Sequence, residues 1–415
     1  MPPMCAMQSR ALWNVSRRRA KRVNDKHQLF QPNATQSKES DTDLIIPKDE
    51  EKGDKNLKKR ETKIARRKVR KLLILVVAVL LLVASGAIIL FREELKIVAS
   101  ITKVANAQRV YYMEVEGDYH FKDFLEAGGA SSDKTVSAFL TKRISKGLYS
   151  VDVKEGGPAC STISAVAPDG SHVWGRNFDW KGSVPIIVRC VPQDGYASIS
   201  TCDFQNITAN PDAVPEGIGN KMFAIAALYV PMDGMNEVGL CVADLEVNEG
   251  GMITMDTDKP NLTITTAIRL LLNKAASVEQ AVALLRQYDI FASGGISHHL
   301  AISDSEGNSV AVEFVGGKLV IVDTNVVTNF NLDNGNTAAG GENAKQRFEW
   351  LSSLYKENEG LLAYGQVKHA LAQVSQSDGE FVTQWSIIFE QDSLSVNYYF
   401  GGDFENAHSF SVHNQ

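Results

Sequence analysis

The stretch ACSTISAVAPDGSHVWGRNFDW, Ala159 to Trp180, decides the fold of this chain. Its two halves, Cys160 to Ala167 and His172 to Trp180, contain many β-branched, small and aromatic residues, and a Pro-Asp-Gly turn separates them. Two short runs of this kind around such a turn predict a β-hairpin. We therefore expect this hairpin to open a large domain in which strands dominate.

Cys160 is the candidate nucleophile because of its place in the chain. It follows the break Gly156-Gly157-Pro158 and begins the first predicted strand, so cleavage of the Ala159–Cys160 bond makes it a chain terminus. A terminal α-amino group has a reference pKa of about 7.7–8.0 and can take the thiol proton without a histidine partner. The alternative is an ordinary small apolar residue of a strand, which is what most cysteines are.

Around the hairpin, blocks of predicted strands alternate with pairs of predicted helices. This order indicates an α+β domain in which helices cover sheets. The expected strands are 184–191, 196–204, 222–230, 238–247, 299–324, 385–390 and 393–399. The expected helices are 96–110, 133–148, 263–274, 278–288, 344–356 and 364–374.

Four segments in register resemble a known family over about residues 156–400. Ala159 to Trp180 is similar to the opening of the mature cysteine N-terminal-nucleophile (Ntn) amidases, with their R-x-x-D pattern. That family includes bile salt hydrolase (choloylglycine hydrolase), penicillin V acylase, N-acylethanolamine acid amidase and acid ceramidase. The other segments are MDGMNEVGLCVADLEV (232–247), VVTNF (326–330) and AKQRFEWL (344–351). The resemblance implies a four-layer αββα Ntn-hydrolase sandwich.

The resemblance also assigns roles to individual residues. Cys160 attacks the amide carbonyl, Asp179 orients the α-amine of Cys160, and Arg176 lowers the pKa of the thiol. Arg176 and Asp179 lie three positions apart, so by strict alternation both reach the site only if the strand bends at Asn177-Phe178. Without the resemblance, a surface salt bridge is the simpler interpretation of this pair.

Three further residues complete the implied site. Asn329 matches the amide that helps to form the oxyanion hole, and Arg347 matches an arginine that sets the charge of the site. At the second oxyanion position this chain has Glu246, whereas bile salt hydrolases have Asn and penicillin V acylases have Tyr. An acidic residue there resembles the lipid amidases, and a carboxyl group donates a hydrogen bond only when protonated. An exposed glutamate at a strand end is the alternative for Glu246.

The charge of the chain changes sign near residue 72. Residues 1–71 hold 20 Lys and Arg against 9 Asp and Glu, a net +11, whereas residues 72–415 hold 23 against 40, a net −17. Between them, Leu72 to Phe91 is an apolar run without a charge, long enough to cross a bilayer. Because cations crowd its amino-terminal flank, Lys58 to Lys71, we expect a single-pass transmembrane helix with the amino terminus cytoplasmic.

These features predict four regions. Residues 1–71 form a basic, disordered cytoplasmic tail, 72–91 the transmembrane helix, 92–159 a helical leader and tether, with a propeptide as the alternative, and 160–415 the catalytic domain. The orientation of the membrane helix is enough to explain the positive charge of the tail, so nucleic acid is not expected as a partner.

The remaining cysteine and histidine patterns carry less weight. Four external cysteines do not form a disulfide framework, although a bridge between Cys190 and Cys202 stays open across a second hairpin. We find no metal or cofactor motif. The pair His298-His299 raises a papain-like alternative, but His299 begins an apolar strand and the papain-type sequence around the nucleophile is missing.

The sequence therefore predicts a membrane-anchored extracytoplasmic cysteine amidase that hydrolyses a linear, non-peptide C–N bond through a thioester on Cys160. Its partners are a small amide substrate with an acyl group and the lipid bilayer. The substrate itself stays open among bile salts, penicillins and N-acyl lipids. Two alternatives remain: an acyltransferase of the same fold, and a binding protein that has lost the chemistry.

Overall fold

The computed structural model describes residues 48–147, 150–151, 153, 159–208, 210, 212–247, 252–333 and 341–413, with side chains from residue 53 onward. The chain divides into two compact units, 1–81 and 82–415. The helices are α1 (Lys48–Leu90), α2 (Arg92–Ser100), α3 (Phe121–Glu126), α4 (Asp133–Arg143), α5 (Gly217–Ala224), α6 (Ile264–Lys274), α7 (Val278–Leu285), α8 (Glu342–Glu357) and α9 (Tyr364–Gln373).

Helix α1 contains the long apolar run. Its segment Gly53–Leu90 is long and apolar enough to cross a membrane by length and composition. The helix already begins at Lys48, so the prediction of a disordered tail is wrong for residues 48–71. Charged pairs one turn apart, such as Lys58 and Asp54 at 2.8 Å, support the helix, which propagates readily once the apolar run has nucleated it. Residues 1–47 lie outside the described part of the chain.

Two sheets make up the larger unit. The strands are β1 (Thr102–Lys103), β2 (Tyr111–Gly117), β3 (Ala159–Val166), β4 (His172–Trp180), β5 (Pro185–Pro192), β6 (Ser198–Asp203), β7 (Asp233–Asn236), β8 (Cys241–Val247), β9 (Asn261–Thr263), β10 (Asp289–Phe291), β11 (Ser297–Ser303), β12 (Ser309–Val315), β13 (Lys318–Asp323), β14 (Val326–Val327), β15 (Val382–Glu390), β16 (Ser395–Phe400) and β17 (His408–Ser411). One sheet has the order β1-β2-β5-β6-β7-β8-β11-β12-β13, and the other β14-β3-β4-β15-β16-β17. Strands β9 and β10 form a separate parallel pair.

Three apolar cores bind these sheets to each other and to the helices. The first lies between the sheets and joins Trp174 and Phe178 of β4 to Ile199 of β6 and Leu245 of β8. The second packs α6, α7 and much of the leader against the outer face of the nine-stranded sheet. The third packs α8 and α9 against the outer face of the six-stranded sheet. The result is a mixed α/β fold with paired sheets inside and helices outside.

The predicted hairpin forms as β3 and β4, in continuous register from Ala159↔Asp179 to Val166↔His172. Gly175 of β4 lies directly under helix α9. A Cβ atom there lies 2.8 Å from Val367 and 3.1 Å from Leu371, so a larger residue pushes the helix off the sheet. The strand that carries Arg176 is therefore held on both of its faces.

The leader differs from its prediction. The expected helix 96–110 ends at Ser100, and residues 111–117 form strand β2, which pairs in parallel with β5 from Tyr111↔Ile186 to Gly117↔Pro192. Alternating burial of Tyr111, Met113 and Val115 has the period of a strand. Helix α4 covers residues 133–143 of the expected 133–148. The leader thus contributes strands to the nine-stranded sheet as well as helices.

Two predicted strands need correction. Residues 222–230, expected as a strand, continue helix α5 into a 3-10 helix at Ile225–Tyr229. This alanine-rich run is buried from Ala224 to Val230, and a short apolar run has no period that separates a strand from a buried helix. The expected strand 238–247 begins only at Cys241, after a tight turn at Gly239 (φ +81°) that follows the unpredicted strand β7.

The disulfide left open between Cys190 and Cys202 does not form. In the pairing of β5 with β6, Cys190 lies opposite Ser198, and Cys202 lies opposite Ile186. The two cysteines are therefore four positions out of register, or about 13 Å along the strands, and a bridge needs Cα atoms within about 7 Å. The described cysteines Cys160, Cys190, Cys202 and Cys241 are all buried, and none of these four is in a disulfide.

Candidate active site

Cys160 lies at the start of β3, opposite Phe178, and its thiol is fully buried between the two sheets. The Sγ atom is 3.3 Å from Nη2 of Arg176, on the neighbouring strand β4. Burial raises the pKa of the Cys160 thiol to about 12, although the guanidinium of Arg176 opposes this rise. In the uncleaved chain the sulfur is therefore a neutral thiol that touches a cation.

Arg176 is fixed by carboxylates that come from the other sheet. Its Nη1 donates to Asp233 at 2.6 Å and to the carbonyl of Met232 at 2.5 Å. Its Nη2 donates to the carbonyl of Asp244 at 2.9 Å and lies 3.3 Å from the Oδ1 of the same residue. All three side chains are buried; although desolvation opposes it, the Cys160 sulfur and the two acids raise the pKa of Arg176.

Asp233 and Asp244 were not among the predicted site residues. Both lie inside the segment 232–247 that carries the family resemblance, so the motif contained them without indicating their function. Asp233 also accepts a hydrogen bond from the indole of Trp385 at 3.1 Å, and burial raises the pKa of its carboxyl group. We call Arg176, Asp233 and Asp244 the sulfur side of the site.

Asp179 lies on the opposite face of β4 from Arg176. Strand β4 pairs with β3 without any shift of register, whereas its pairing with β15 shifts between Thr383 and Trp385, opposite Asp179 and Phe178. Asp179 accepts hydrogen bonds from Thr383 and Gln376, each at 2.6 Å, and burial raises the pKa of its carboxyl group. A residue at the end of a strand can be reached from both faces, so Arg176 and Asp179 flank Cys160 from different directions.

Asn329 and Arg347 hold the backbone of Cys160. The N–H of Cys160 donates to Oδ1 of Asn329 at 2.7 Å. Arg347 donates from Nη1 to the carbonyl of Cys160 at 2.5 Å and from Nη2 to Oδ1 of Asn329 at 3.0 Å. Its Nη1 also lies 3.8 Å from Asp179. We call Asn329, Arg347 and Asp179 the backbone side of the site.

Glu246 joins the backbone side through its main chain. The side-chain Nδ2 of Asn329 donates to the carbonyl oxygen of Glu246 at 3.0 Å. The Glu246 side chain is partly buried, and this burial raises the pKa of its carboxyl group. The other five predicted site residues are therefore linked to Cys160 directly or through one partner, although Glu246 is linked by its backbone.

The two histidines are buried in strand β11 and are held by acids. The ring of His299 lies 3.6 Å from Glu313, and the ring of His298 lies 3.4 Å from Asp244. Arg176, not an imidazole, is the basic group seen in contact with the thiol. Among the residues that the structure describes, no group of three His, Cys, Asp or Glu side chains is placed to hold a metal ion.

Residues 160–332 match the family model of the linear amide C–N hydrolases, choloylglycine hydrolase family. This match covers less than half of the chain, and it supports a hydrolase that acts on linear amides.

Solved structures with a similar fold include two variants of the conjugated bile acid hydrolase from Clostridium perfringens. They are 17% and 18% identical to this chain, with a TM-score of 0.47 each, over 61% of this chain and 92% of theirs. The penicillin V acylase from Agrobacterium tumefaciens is 19% identical, with a TM-score of 0.43, over 60% of this chain and 84% of its own. No curated protein matches the chain.

Proposed function

We propose that this chain is a membrane-anchored, extracytoplasmic cysteine amidase of the αββα Ntn type, and that it hydrolyses its amide through a thioester on Cys160. The observation that carries this proposal is the placement of Cys160. A buried cation lies 3.3 Å from its sulfur, while Asn329 and Arg347 hold its backbone nitrogen and oxygen. This arrangement supports a nucleophile at a chain terminus.

The uncleaved chain supports activation by cleavage. The nitrogen of Cys160 is a peptide nitrogen and cannot accept a proton, and the thiol is held neutral with a pKa of about 12. Cleavage of Ala159–Cys160 turns this nitrogen into an amine, the base that the thiol lacks. Activation therefore depends on the new α-amino group of Cys160, and no additional side chain is needed as the base.

After cleavage the reaction follows from these positions. The amine takes the thiol proton, and the sulfur attacks the carbonyl carbon of the amide. The C–N bond breaks as the ammonium returns the proton to the leaving nitrogen, and an acyl thioester remains on Cys160. Water then attacks the thioester, and the free acid and the thiol are released. Arg176 stabilises the sulfur anion, and Asn329 is placed to turn an N–H toward the oxygen of the tetrahedral intermediate.

The leader is proposed to stay bound after the cut. Its strand β2 pairs with β5 along seven residues, and Glu114 of β2 accepts from the buried Arg189 of β5 at 3.0 Å. Buried leader residues such as Met113 and Phe124 belong to the apolar core over the nine-stranded sheet. Removal of the leader exposes that core, so the cleaved enzyme consists of two chains that hold together.

The proposed location is the cell membrane. Residues 72–90 of helix α1 form the single span, and the basic stretch 58–71 keeps the amino terminus in the cytoplasm. The catalytic domain then lies outside the cytoplasm and works on a small amide with an acyl group. Bile salt, penicillin and N-acyl lipid types remain the candidate substrates, with no cofactor required by this chemistry.

The test compares Cys160→Ala with Cys241→Ala in the full-length chain. Cys241 is an equally buried free thiol in the core between the sheets, so it controls for loss of a thiol and of packing. We expect Cys160→Ala to stay uncut and inactive, and Cys241→Ala to be cut and active. Intact mass, amino-terminal sequencing and a panel of amides with different acyl groups measure this. Amidase activity in Cys160→Ala would contradict the proposal.

The acyltransferase alternative differs only in what attacks the thioester. Product analysis with and without an added primary amine separates the two, because a transferase forms the new amide in preference to the free acid. The alternative of a binding protein that has lost the chemistry is disfavoured by the contacts that surround Cys160. A wild-type chain that binds an amide without turnover would support this alternative.

A further inference from the structure

His298 is a buried histidine that the amidase chemistry proposed above does not use. It is 2% exposed, on strand β11, and its position pairs with Glu246 of β8. Its Nε2 lies 3.1 Å from the carbonyl oxygen of Ser293, and its Nδ1 lies 3.4 Å from Oδ2 of Asp244. A carbonyl and an ionised carboxylate only accept hydrogen bonds. The two ring nitrogens both face acceptors, which favours the imidazolium form.

Asp244 connects this histidine to the nucleophile. Its Oδ2 faces His298, while its Oδ1 and its carbonyl face Nη2 of Arg176. The same Nη2 lies 3.3 Å from the sulfur of Cys160. This nitrogen has two hydrogens and three acceptors around it, so the Asp244 carboxylate and the sulfur compete for one N–H group.

We propose that His298 is a positioning residue of the amidase, which as an imidazolium holds the Asp244 carboxylate so that Arg176 serves the Cys160 sulfur. This inference rests on the proposed function of Cys160. When His298 loses its proton, Arg176 is the one cation left in contact with Asp244 among the residues that the structure describes. The carboxylate then takes the N–H group that the thiolate needs, and the nucleophile is weakened.

Three acids surround the ring of His298. Asp244 and Glu246 come from strand β8, and Asp133 comes from helix α4 of the leader. The charge of His298 lowers the pKa values of Glu246 and Asp133, against the larger opposite effect of burial. On the other side of Asp244 lies a cation, Arg176. Three acids against one distant cation favour a charged ring.

The leader also fixes the second acceptor of the ring. Asp133 accepts a hydrogen bond from the N–H of Gly294 at 2.8 Å, directly after Ser293, whose carbonyl faces His298. A continuous set of contacts therefore runs from the leader through His298 and Asp244 to the nucleophile. This gives the bound leader a part in positioning the active site.

The experiment measures kcat and KM of the full-length, cleaved enzyme from about pH 5 to about pH 9, a range that includes histidine titration. The variants are His298→Gln and a matched control, His299→Gln, on the same strand but against Glu313. In the wild type and the control, we expect a step at which kcat falls as the pH rises. In His298→Gln, this step should vanish. At acid pH, kcat of the variant should be about tenfold lower than that of the wild type, which corresponds to about 1.4 kcal/mol in the activation barrier, and KM should be unchanged.

A second measurement does not depend on activity. The ring-carbon NMR signal of His298 reports the protonation of the ring directly. The signal is assigned by its loss in His298→Gln, or in His298→Asn if the first variant does not fold. We expect an imidazolium signal in the wild type at about pH 7 and a neutral ring in Asp244→Asn. A neutral ring in the wild type, or an unchanged kcat step in His298→Gln, overturns this inference and leaves the amidase intact. A wild type without amidase activity defeats the proposed function, and the NMR result still decides the protonation of His298.

Discussion

Two buried arginines meet Cys160 from opposite sides, and they are held differently. Arg176, between the sheets, contacts the sulfur and is within 3.3 Å of two carboxylates. Arg347, on helix α8, contacts the carbonyl of Cys160 and has its nearest carboxylate, Asp179, at 3.8 Å. The pKa of Arg176 is raised by its acidic partners, whereas burial lowers the pKa of Arg347.

The same residue type therefore performs two different tasks in one site. On the sulfur side, two acids lock the guanidinium, and its charge acts on the thiol. On the backbone side, the guanidinium acts mainly as a fork of donors that sets the position of the Cys160 backbone. Substitutions on the sulfur side should therefore affect folding and chemistry together, and those on the backbone side mainly chemistry.

The largest effect is expected for Arg176→Met. It leaves Asp233 buried without its cation and Asp244 with only His298 beside it, which costs about 3–5 kcal/mol in the free energy of unfolding. We also expect no cleavage at Ala159–Cys160, because the thiol loses the group that favours its anion. Urea denaturation and intact mass measure the two effects. The control is Arg269→Met, a buried arginine whose partners are the neutral oxygens of Leu228, Ser198 and Ser200. That control should lose stability but keep cleavage in its folded fraction; equal loss of cleavage in both variants contradicts the special role of Arg176.

A smaller effect is expected for Arg347→Lys. A lysine cannot donate to the Cys160 carbonyl and to Asn329 in the same fork, so kcat should fall about 10- to 100-fold while stability falls by about 1–2 kcal/mol. Steady-state kinetics and thermal unfolding measure these changes. Glu349→Gln, on the exposed part of helix α8, is the control and should change neither. If Arg347→Lys destabilises the chain as much as Arg176→Met does, the distinction between the two sides is wrong.

The smallest effect is expected for Glu246→Gln. Burial raises the pKa of Glu246, so the folded chain binds its proton more tightly than the unfolded chain. This contribution to stability is complete below the ordinary glutamate pKa and is lost as the pH rises through the raised value. The variant should remove this pH dependence and be more stable at neutral pH by less than about 1 kcal/mol, because the group is only partly buried.

The same variant tests the catalytic role of Glu246. If a protonated Glu246 donates to the oxyanion, the wild-type kcat/KM falls from about pH 5 to about pH 8, and Glu246→Gln flattens this part of the profile because an amide donates at every pH. Exposed Glu306→Gln is the control. A wild-type rate that rises over this range contradicts the donor role of Glu246.

Much of the site could be predicted because its residues lie in short, ordered segments. Cys160, Arg176 and Asp179 share one hairpin, whose strand pattern and turn are local features. Asn329 and Arg347 were predicted only through the family resemblance, since nothing local indicates that they meet Cys160. Asp233 and Asp244 were missed, because an acid in a strand has no pattern of its own that marks it as the partner of a distant arginine.

The wrong predictions have a similar origin. The run 222–230 has no polar residue that reveals a helical period, so a strand was predicted where the chain forms a helix. The helix expected at 96–110 ended early because strand β2 finds its partner in β5, some 75 residues further along the chain. The open disulfide depended on a register that only the pairing of β5 with β6 decides.

By itself the sequence determined what depends on neighbours along the chain. It determined the apolar run of helix α1, the hairpin β3–β4 and the place of Cys160 at the start of that hairpin. These follow from local periodicity, turn chemistry and charge, which act over a few residues. The tertiary structure alone decided which acids hold Arg176, that Asp179 lies on the other face of its strand, and that the leader joins the sheet. Those contacts join residues 56 or more positions apart, and they exist only once two sheet faces have packed together and excluded water.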